Sequence, residues 1–339
     1  MTKKIRQYLA IFGNMKIPPK YTITLEMLEI LGKIEAIRQY LLTLNIPPNV
    51  NQKIQRISLL KSSLYSAKIE GNPLDLENYK RSPDKIKKLE IDNIIDTTNF
   101  ISKLKIKKIN LSLIKTLHKI TMNSIHYQAG SFRREMSAIF NQSGVAIYVC
   151  PPPSQITQLI NQLINYINSD KEKFPLIKAF ITHLLFEKIH PFLDGNGRIG
   201  RLLIYSVCQI KNYQFKPTVS FEESLDKNKN DYYYYLDIGL KNTNDYLFFM
   251  LQTFFEQAEK LKKEIEKEVN AKTQINLPPR QEEIYQIIKD HQIISLDFIK
   301  RRFLKVPSRT LRYDLKKICD RGLVIKIGQT KGSYYKIIP

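Results

Sequence analysis

The 339-residue sequence has no tryptophan, only 12 glycines and only three cysteines. The cysteines (Cys150, Cys208 and Cys319) are odd in number and lack metal-site spacing, so neither a disulfide framework nor a zinc site is expected. No apolar run reaches the roughly 20 residues of a membrane span, Tyr246–Phe255 being the best candidate. The basic start, Met1–Lys16, has too short an apolar piece for a secretory signal. These features predict a cytoplasmic protein.

Acidic residues are also scarce relative to basic ones. The chain has 32 Asp+Glu against 54 Lys+Arg, a formal net charge of +22. Such an excess is typical of nucleic-acid binding, but a composition rich in Lys, Ile, Asn and Tyr is also what an AT-rich genome encodes. We therefore interpret only local charge clusters. The 43% hydrophobic content suffices for a full core, which excludes wholesale disorder, and the length indicates two or three domains.

Apolar residues recur at helical spacing over most of the chain. The periodicity predicts helices at Thr24–Leu44, Asn49–Lys68, Ile86–Ile101, Ser112–Thr121, Ser154–Ile167, Leu176–Ile189, Gly197–Lys211, Asp231–Leu240 and Asp245–Lys267. Met136–Val149 is instead rich in β-branched or small residues and has Asn141–Gly144 at its middle, which predicts a β-hairpin. The fold class is therefore mainly α with one hairpin.

A change in composition near Glu256 marks a charged linker helix (256–279), which is followed by a compact C-terminal domain (280–339). We divide the preceding residues into an N-terminal helical segment (1–60) and a core (61–255). In the last domain we predict helices at Gln281–Asp290, Ser295–Leu304 and Arg309–Arg321, then a hairpin of Leu323–Ile327 and Ser333–Ile338.

The segment HPFLDGNGRIGR, which starts at His190, combines residues that suit phosphate chemistry. Gly195 and Gly197 let consecutive backbone N–H groups form a nest at a helix N-terminus, a site that binds anions and above all phosphate. Arg198 and Arg201 lie three apart on the first helical turn and can reach one face. Two guanidinium forks beside such a nest suggest a di- or triphosphate ligand.

Two further residues of this segment suit group transfer. Asp194 would repel phosphate unless a cation bridges them, and Mg²⁺ is the usual bridge. Neutral His190 can take a proton from an incoming hydroxyl. Each feature alone is commonplace: a histidine that ends a helix, a turn, a solvated arginine pair. Together they predict a phosphoryl- or nucleotidyl-transfer site.

The segment resembles the signature of the Fic family, His-x-Phe-x-(Asp/Glu)-Gly-Asn-Gly-Arg-x-x-Arg, at every fixed position. The resemblance covers roughly residues 17–255. Residues 17–24 resemble the N-terminal Fic segment, Gly130–Arg133 and the following hairpin resemble the entry turn and target-docking flap, and Tyr232–Leu236 resembles the helix behind the nucleotide base. The resemblance implies an all-helical Fic fold with a β-hairpin flap.

It also implies an activity, the transfer of AMP from ATP to a Tyr, Ser or Thr hydroxyl of a target protein and of the chain itself. The general base would be His190 and the Mg²⁺ ligand Asp194. The phosphate-binding residues would be Gly195, Asn196, Gly197, Arg198 and Arg201, with Arg201 on the γ-phosphate. Phe192 would pack and fix the loop, and the target backbone would pair with the edge of flap 136–149. Tyr232 and Tyr233 line the adenine pocket or, alternatively, fill the core.

A second resemblance lies upstream, where Ser66–Gly71 is similar to the family's inhibitory motif, (Ser/Thr)-x-x-x-Glu-(Gly/Asn). Glu70 at a helix C-terminus faces the negative end of the dipole and needs a cationic partner. The resemblance implies that Ser66 and Glu70 belong to an inhibitory helix and that Glu70 pairs with Arg201. That pair would occupy the guanidinium meant for the γ-phosphate.

The C-terminal domain resembles a winged helix, with Ser308–Lys317 as recognition helix and Leu323–Ile338 as wing. It carries 14 Lys+Arg against 6 Asp+Glu, and its candidate DNA contacts are Arg309, Arg312, Lys316 and Lys331. The alternative is a protein-interaction or dimerisation module, which would make the protein a homodimer.

Other functions stay open at this point. The chain could be a nucleotide-sensing transcription regulator, although ATP binding alone would not need the base His190. Related folds transfer phosphate or phosphocholine by turning the nucleotide around. Removal of AMP, assisted by Glu70, is a further alternative.

Overall fold

The computed structural model describes residues 15–104, 107–140, 146–273, 277–328 and 333–338. The chain divides into two compact units with the boundary between Glu266 and Lys267, inside the segment predicted as a linker. The tip of the predicted flap (141–145), Lys331 and residues 1–14 lie outside the described residues. Within the described ranges, none of the helices is both long and apolar enough to cross a membrane.

The first unit is mainly helical, which confirms the predicted fold class. Its helices are α1 (Leu25–Thr43), α2 (Pro48–Ile69), α3 (Lys85–Lys103), α4 (Leu111–Thr121), α5 (Pro153–Asn168), α6 (Pro175–Ile189), α7 (Asn196–Ile210), α8 (Phe221–Lys227), α9 (Lys229–Ile238) and α10 (Thr243–Thr273), which runs past the boundary. Proline occupies a first position of α2, α5 and α6, where it lacks no hydrogen bond and presets the helical φ. Helix α8 was not predicted from the sequence, because seven residues are too few to show a helical period.

Helix α6 lies at the centre of this unit. Every residue from Leu176 to Ile189 is buried, as expected of a helix surrounded by protein on all sides. It packs along α7 and against α5. Because the loop between α6 and α7 carries the His190 segment, the most buried part of the fold holds that segment in place.

A short antiparallel hairpin forms in the predicted place. β1 (Ala138–Phe140) pairs with β2 (Ala146–Val149), with Ala138 opposite Val149 and Ile139 opposite Tyr148. The Cys150 N–H donates to the Ser137 carbonyl at 2.9 Å, which extends the pairing to the base of the hairpin.

The second unit has its own core, formed by residues such as Ile284, Ile299 and Leu315. Its elements are α11 (Pro279–His291), β3 (Ile293–Ser295), α12 (Leu296–Arg302), α13 (Ser308–Asp320), β4 (Val324–Ile327) and β5 (Tyr334–Ile337). The strands form an antiparallel sheet in the order β3-β5-β4. Strand β3 was not predicted from the sequence, because it has only three residues and runs directly into α12.

Candidate active site

The loop from His190 to Gly195 turns the chain sharply between α6 and α7. His190 ends α6 in the left-handed region, with φ 49°, and Gly195 precedes α7 with φ 80°. A β-carbon on Gly195 would also lie 2.7 Å from the Met122 sulfur. Glycine is therefore required at 195 for both its backbone conformation and its lack of a side chain.

The Asn196 side chain holds this loop closed. Its amide Nδ2 donates to the Phe192 carbonyl at 2.8 Å, and its Oδ1 accepts from the Phe192 N–H at 2.9 Å. Asn196 is buried. Asn196 was predicted to hold phosphate, but its side chain is bonded to the Phe192 backbone and shapes the nest, so we expect its backbone N–H to face the ligand. Phe192 is fully buried, in the packing position that the sequence analysis gave it.

His118, which the sequence analysis did not single out, fastens this loop to the rest of the unit. Its Nδ1 accepts from the Gly130 N–H at 2.8 Å, so Nε2 carries the proton and donates to the Asp194 carbonyl at 2.9 Å. The ring stacks on Phe192 at a centroid distance of 3.6 Å. Burial lowers the pKa of His118 to about 4, which keeps the ring neutral. In the sequence, the one sign of this role is that His118 is a polar residue on the apolar face of its helix, α4.

The His190 ring lines a cavity beside the loop. Its Nδ1 lies 3.2 Å from the Glu187 carbonyl. Because a carbonyl oxygen can only accept, Nδ1 carries the proton and Nε2 keeps its lone pair. Burial, with the Arg133 charge adding to it, lowers the pKa of His190, so the ring is a neutral base at pH 7.

Asp194 and Arg198 form an ion pair at the mouth of the nest. The Arg198 Nη2 donates to Asp194 Oδ1 at 2.9 Å, and the Gly195 N–H donates to the same oxygen. Burial opposes the charge on Asp194, but Arg198 and the Gly195 N–H together outweigh it, and the net effect lowers the pKa of the carboxyl. Arg198 is buried and its Nε lacks a hydrogen-bond partner among the described residues.

Arg201 is almost fully buried and is held by the end of α2. Its Nη2 donates to Glu70 Oε1 and to the Ser66 carbonyl, both at 2.8 Å, and its Nε donates to Ser66 Oγ at 3.0 Å. Burial disfavours the Arg201 charge, but Glu70 and neighbouring groups together outweigh that effect and raise the pKa of the guanidinium. The structure thus brings together Ser66, Glu70 and Arg201, the three residues that the inhibitory motif links.

The Glu70 carboxylate also lies against the glycine nest. A β-carbon on Gly197 would come within 2.1 Å of Glu70 Oε1 and 3.2 Å of Arg201 Nη1. Gly71 follows Glu70 with φ 93°, a left-handed conformation that glycine adopts at helix ends. The glycine that follows the glutamate in the motif therefore ends α2 where Glu70 reaches the nest.

Tyr232 and Tyr233 have different environments. The buried Tyr232 hydroxyl lies 2.8 Å from His183 Nε2 and 3.5 Å from Arg201 Nη1. Tyr232 therefore packs against the Arg201 guanidinium and helps to hold it in place. Tyr233 is 40% exposed and donates to the Ile69 carbonyl at 3.2 Å. Of the two, only Tyr233 presents an exposed ring to the cavity.

A buried acid, Glu187, completes the polar set and was also missed by the sequence analysis. Its Oε1 lies 3.9 Å from His183 Nδ1, and neither atom has a hydrogen-bond partner in the part of the chain that the structure describes. Burial, with a contribution from the Glu70 charge, raises the pKa of Glu187 to about 8. Glu187 therefore carries a proton at neutral pH.

These side chains surround a cavity of about 860 Å³, a volume typical of ligand sites. Besides the loop and Glu70, its walls come from the hairpin (Ile139 and Tyr148) and from α9, including Lys229, Tyr233 and Tyr234.

Asp194 is the one carboxylate predicted to bind a metal. The described residues contain no cluster of three or more His, Cys, Asp or Glu that could hold an ion. Asp194 is half exposed, and the two hydrogen bonds described above both fall on Oδ1. Mg²⁺ often uses one or two carboxylates together with phosphate oxygens and water, so Asp194 fits an ion that arrives with a nucleotide.

Comparisons with known proteins agree with this geometry. Residues 108–208 match the model of the Fic/DOC family. The chain is 27% identical over 154 residues to a probable protein adenylyltransferase of Aquifex aeolicus, which covers 43% of this chain and 47% of the relative. It is 30% identical over 191 residues to protein adenylyltransferase Fic of Drosophila virilis, and this match covers 52% of this chain and 36% of the relative. The chain thus spans about half the length, or less, of these curated relatives.

Solved structures share the fold. A Fic family protein from Desulfovibrio desulfuricans superimposes with a TM-score of 0.65 at 20% identity, covering 94% of this chain and 98% of that one. Fic-1 from Caenorhabditis elegans gives a TM-score of 0.58 at 18% identity and covers 72% of each chain. Residues 108–208 are thus similar to the Fic/DOC family, and the chain shares the fold of solved Fic proteins.

Proposed function

We propose that this chain is a protein adenylyltransferase, which transfers AMP from ATP to a Tyr, Ser or Thr hydroxyl of a target protein and of itself. One observation carries the proposal: the neutral His190, whose Nε2 is unprotonated, lines the same cavity as the Gly195–Gly197 nest and Arg201. A base beside a triphosphate site suits attack by a hydroxyl on phosphorus. The names of the relatives from Aquifex and Drosophila support this activity.

In the proposed reaction, His190 Nε2 takes the proton of the target hydroxyl while the hydroxyl oxygen bonds to the α-phosphorus. The bond from that phosphorus to the bridging oxygen breaks, and pyrophosphate leaves. The N–H groups of Asn196 and Gly197 and the guanidinium of Arg198 stabilise the negative charge, while the Gly195 N–H holds the Asp194 carboxylate. Asp194 would hold Mg²⁺, which neutralises phosphate charge when bound. The flap 136–149 would take the target backbone as an added strand. Tyr233 would face the adenine base of ATP.

Autoinhibition by Glu70 is part of the proposal. The Glu70 carboxylate forms an ion pair with the guanidinium of Arg201 and lies against the nest at Gly197. A γ-phosphate cannot pair with Arg201 until Glu70 leaves, so ATP would bind in an unproductive pose. Because Arg201 is buried, the exchange of one anion for another keeps its charge compensated.

Incubation with labelled ATP tests both parts. We expect weak self-labelling from α-labelled ATP in the wild type, an increase of at least tenfold in Glu70→Gly, and no label when His190→Ala is added. Glu77→Gly, a change at an exposed glutamate nearby, is the control and should behave as wild type. Equal labelling of Glu70→Gly and wild type would refute the autoinhibition.

The same experiment separates the alternative reactions. Label from the γ-position would indicate a kinase, and loss of label from a pre-modified target in wild type, but not in Glu70→Gly, would indicate AMP removal assisted by Glu70. ATP binding with no transfer in any variant would favour a nucleotide sensor.

We further propose that the second unit is a winged helix that binds DNA. Seven exposed basic residues lie on α12, α13 and their connection, namely Arg301, Arg302, Lys305, Arg309, Arg312, Lys316 and Lys317. Asp314, the one acidic residue between 301 and 317, is buried and pairs with Arg280 at 2.6 Å. Asp297 on α12 and Asp320 on α13 are also exposed, but the seven basic residues outnumber them, and this positive excess suits a phosphate backbone.

A DNA titration at several salt concentrations tests this second proposal. We expect micromolar or tighter binding with a steep salt dependence, and weaker binding when Arg309 and Arg312 are both changed to alanine. Arg56→Ala, at an exposed arginine of the first unit, is the matched control. A salt-independent interaction, or a dimer that forms through this unit without DNA, would favour the protein-interaction alternative.

A further inference from the structure

Arg133 is a buried arginine whose guanidinium contacts backbone carbonyls from separate parts of the fold. Its Nη1 donates to Glu135 O at 2.8 Å, its Nη2 to Pro151 O at 2.7 Å and its Nε to His190 O at 2.7 Å. A weaker contact of 3.4 Å reaches Ile189 O. Arg133 is only 2% exposed, so these bonds are shielded from water and strong.

The three close contacts join two functional parts of the site. Glu135 and Pro151 lie on either side of the β1–β2 hairpin, so their carbonyls mark its two ends where it leaves the body of the domain. His190 is the residue whose ring lines the cavity. A planar guanidinium holds its donors in a fixed fork, and it therefore fixes the base of the hairpin relative to the backbone of the histidine.

His190 needs such support, because it adopts φ 49° without being a glycine. A left-handed conformation costs a residue with a side chain on the order of 1–2 kcal/mol. Two bonds from Arg133 oppose relaxation: Nε holds the carbonyl of His190, and the Arg133 N–H holds the carbonyl of Pro191 at 2.9 Å.

We propose that Arg133 is a positioning residue that sets the distance between the imidazole of His190 and the hairpin on which the target docks. This inference rests on the proposed function. Arg133 touches neither the nest nor Arg201, so it acts on the chemical step and not on ATP binding. Its side chain is too deeply buried to meet the target directly.

The charge of Arg133 adds a second effect. The charged groups that face His190 are Arg133 after the entry turn, Glu70 at the end of α2 and Asp194 in the loop, and Arg133 is the cation that favours the neutral ring. Without it, the pKa of His190 rises, and the acid limb of the pH–rate profile moves to higher pH. A residue that only supported packing would not move that limb.

The test compares Arg133→Lys and Arg133→Ala in the Glu70→Gly background, with Arg134→Ala, at an exposed neighbour, as control. We expect kcat to fall about 10²-fold in both, since small misplacements of reacting groups cost that much, with KM for ATP within about twofold. The acid limb of the pH–rate profile should move to higher pH in Arg133→Ala. Guanidinium ion at millimolar concentration, but not ammonium, should restore kcat at least tenfold in Arg133→Ala. Unchanged kcat, or equal losses in kcat and ATP affinity without rescue, would overturn the inference.

A readout that needs no activity separates this inference from the proposed function. In ¹⁵N-histidine NMR spectra, the titration of His190 should shift upward in Arg133→Ala, and hydrogen exchange should accelerate at the described strand residues 138–140 and 146–149. If Glu70→Gly transfers no AMP, the proposed function fails, yet these two measurements still decide whether Arg133 holds His190 and the hairpin. An unshifted titration with unchanged exchange would show that it does not.

Discussion

The two units of this chain use positive charge in opposite ways. In the first, Arg133, Arg198 and Arg201 are each at most 4% exposed, and each has a named oxygen partner. In the second, the basic residues of α12 and α13 are exposed to solvent. A buried charge acts through fixed geometry, whereas exposed charges act through their sum and are screened by salt.

This difference determines what a single substitution can reveal. Removing one member of the buried set leaves a partner unsatisfied inside the protein and is costly. Removing one exposed basic residue lowers the total positive charge of that surface by only a small increment. Substitutions in the first unit should therefore give large effects specific to one step, and substitutions in the second should give small and nearly interchangeable ones.

The largest effect is expected from Asn196→Ala. The change leaves the buried N–H and carbonyl of Phe192 without partners, so we expect the free energy of unfolding to fall by about 2–5 kcal/mol. Urea denaturation measures this, and Asn230→Ala, at an exposed asparagine of the cavity wall, is the control. Weakened ATP binding at unchanged stability would mean that the Asn196 side chain binds phosphate directly.

A gain of stability is expected from Glu187→Gln, with a defined pH dependence. Burial raises the pKa of Glu187 from the ordinary 4.5 to about 8 in the folded state. Between these values the folded protein binds a proton that the unfolded chain does not, so wild type loses stability as pH rises through this window. Glutamine stays neutral, so the variant should be more stable by about 1–3 kcal/mol at pH 8 and nearly equal at pH 4.5. Parallel unfolding curves for both proteins from pH 5 to 8.5 would contradict the buried proton.

The contact between Glu70 and the nest predicts an energetic coupling. Gly197→Ala places a methyl group against Glu70 Oε1, so it should destabilise wild type more than it destabilises Glu70→Gly. We expect a coupling of about 1–2 kcal/mol in a double-mutant cycle, measured by urea denaturation. Additive effects would place Glu70 away from Gly197 in solution.

Much of this site followed from sequence, because its residues are adjacent in the chain. His190, Asp194, Gly195 and Gly197 lie in one short segment, so the turn and the nest could be predicted from local rules. The long helices were also predictable, since each has several turns of apolar period. The elements missed, α8 and β3, are too short to show a period.

The supporting residues could not be predicted, because tertiary packing alone brings them to the loop. His118 comes from α4, and Arg133 from the turn before the hairpin. The periodicity of α6 marked Glu187 as part of a helix, but only the fold shows that its carboxyl is buried beside His183. Tyr232 and Tyr233 are neighbours in sequence and both line the cavity, yet Tyr232 is buried against Arg201 whereas Tyr233 is exposed.

The smallest effect is expected from single substitutions on the basic face of the second unit. Arg312→Ala and Lys317→Ala should each weaken DNA binding about two- to fivefold at low salt and lower the salt slope by about 0.9, the amount expected for one phosphate contact. Fluorescence titration with two unrelated duplexes measures both quantities. Because phosphate contacts carry no sequence information, the loss should be the same for both duplexes if charge alone acts. A loss confined to one duplex would mean that Arg312 reads a base edge, and this face would then depend on fixed geometry, as the buried arginines of the first unit do.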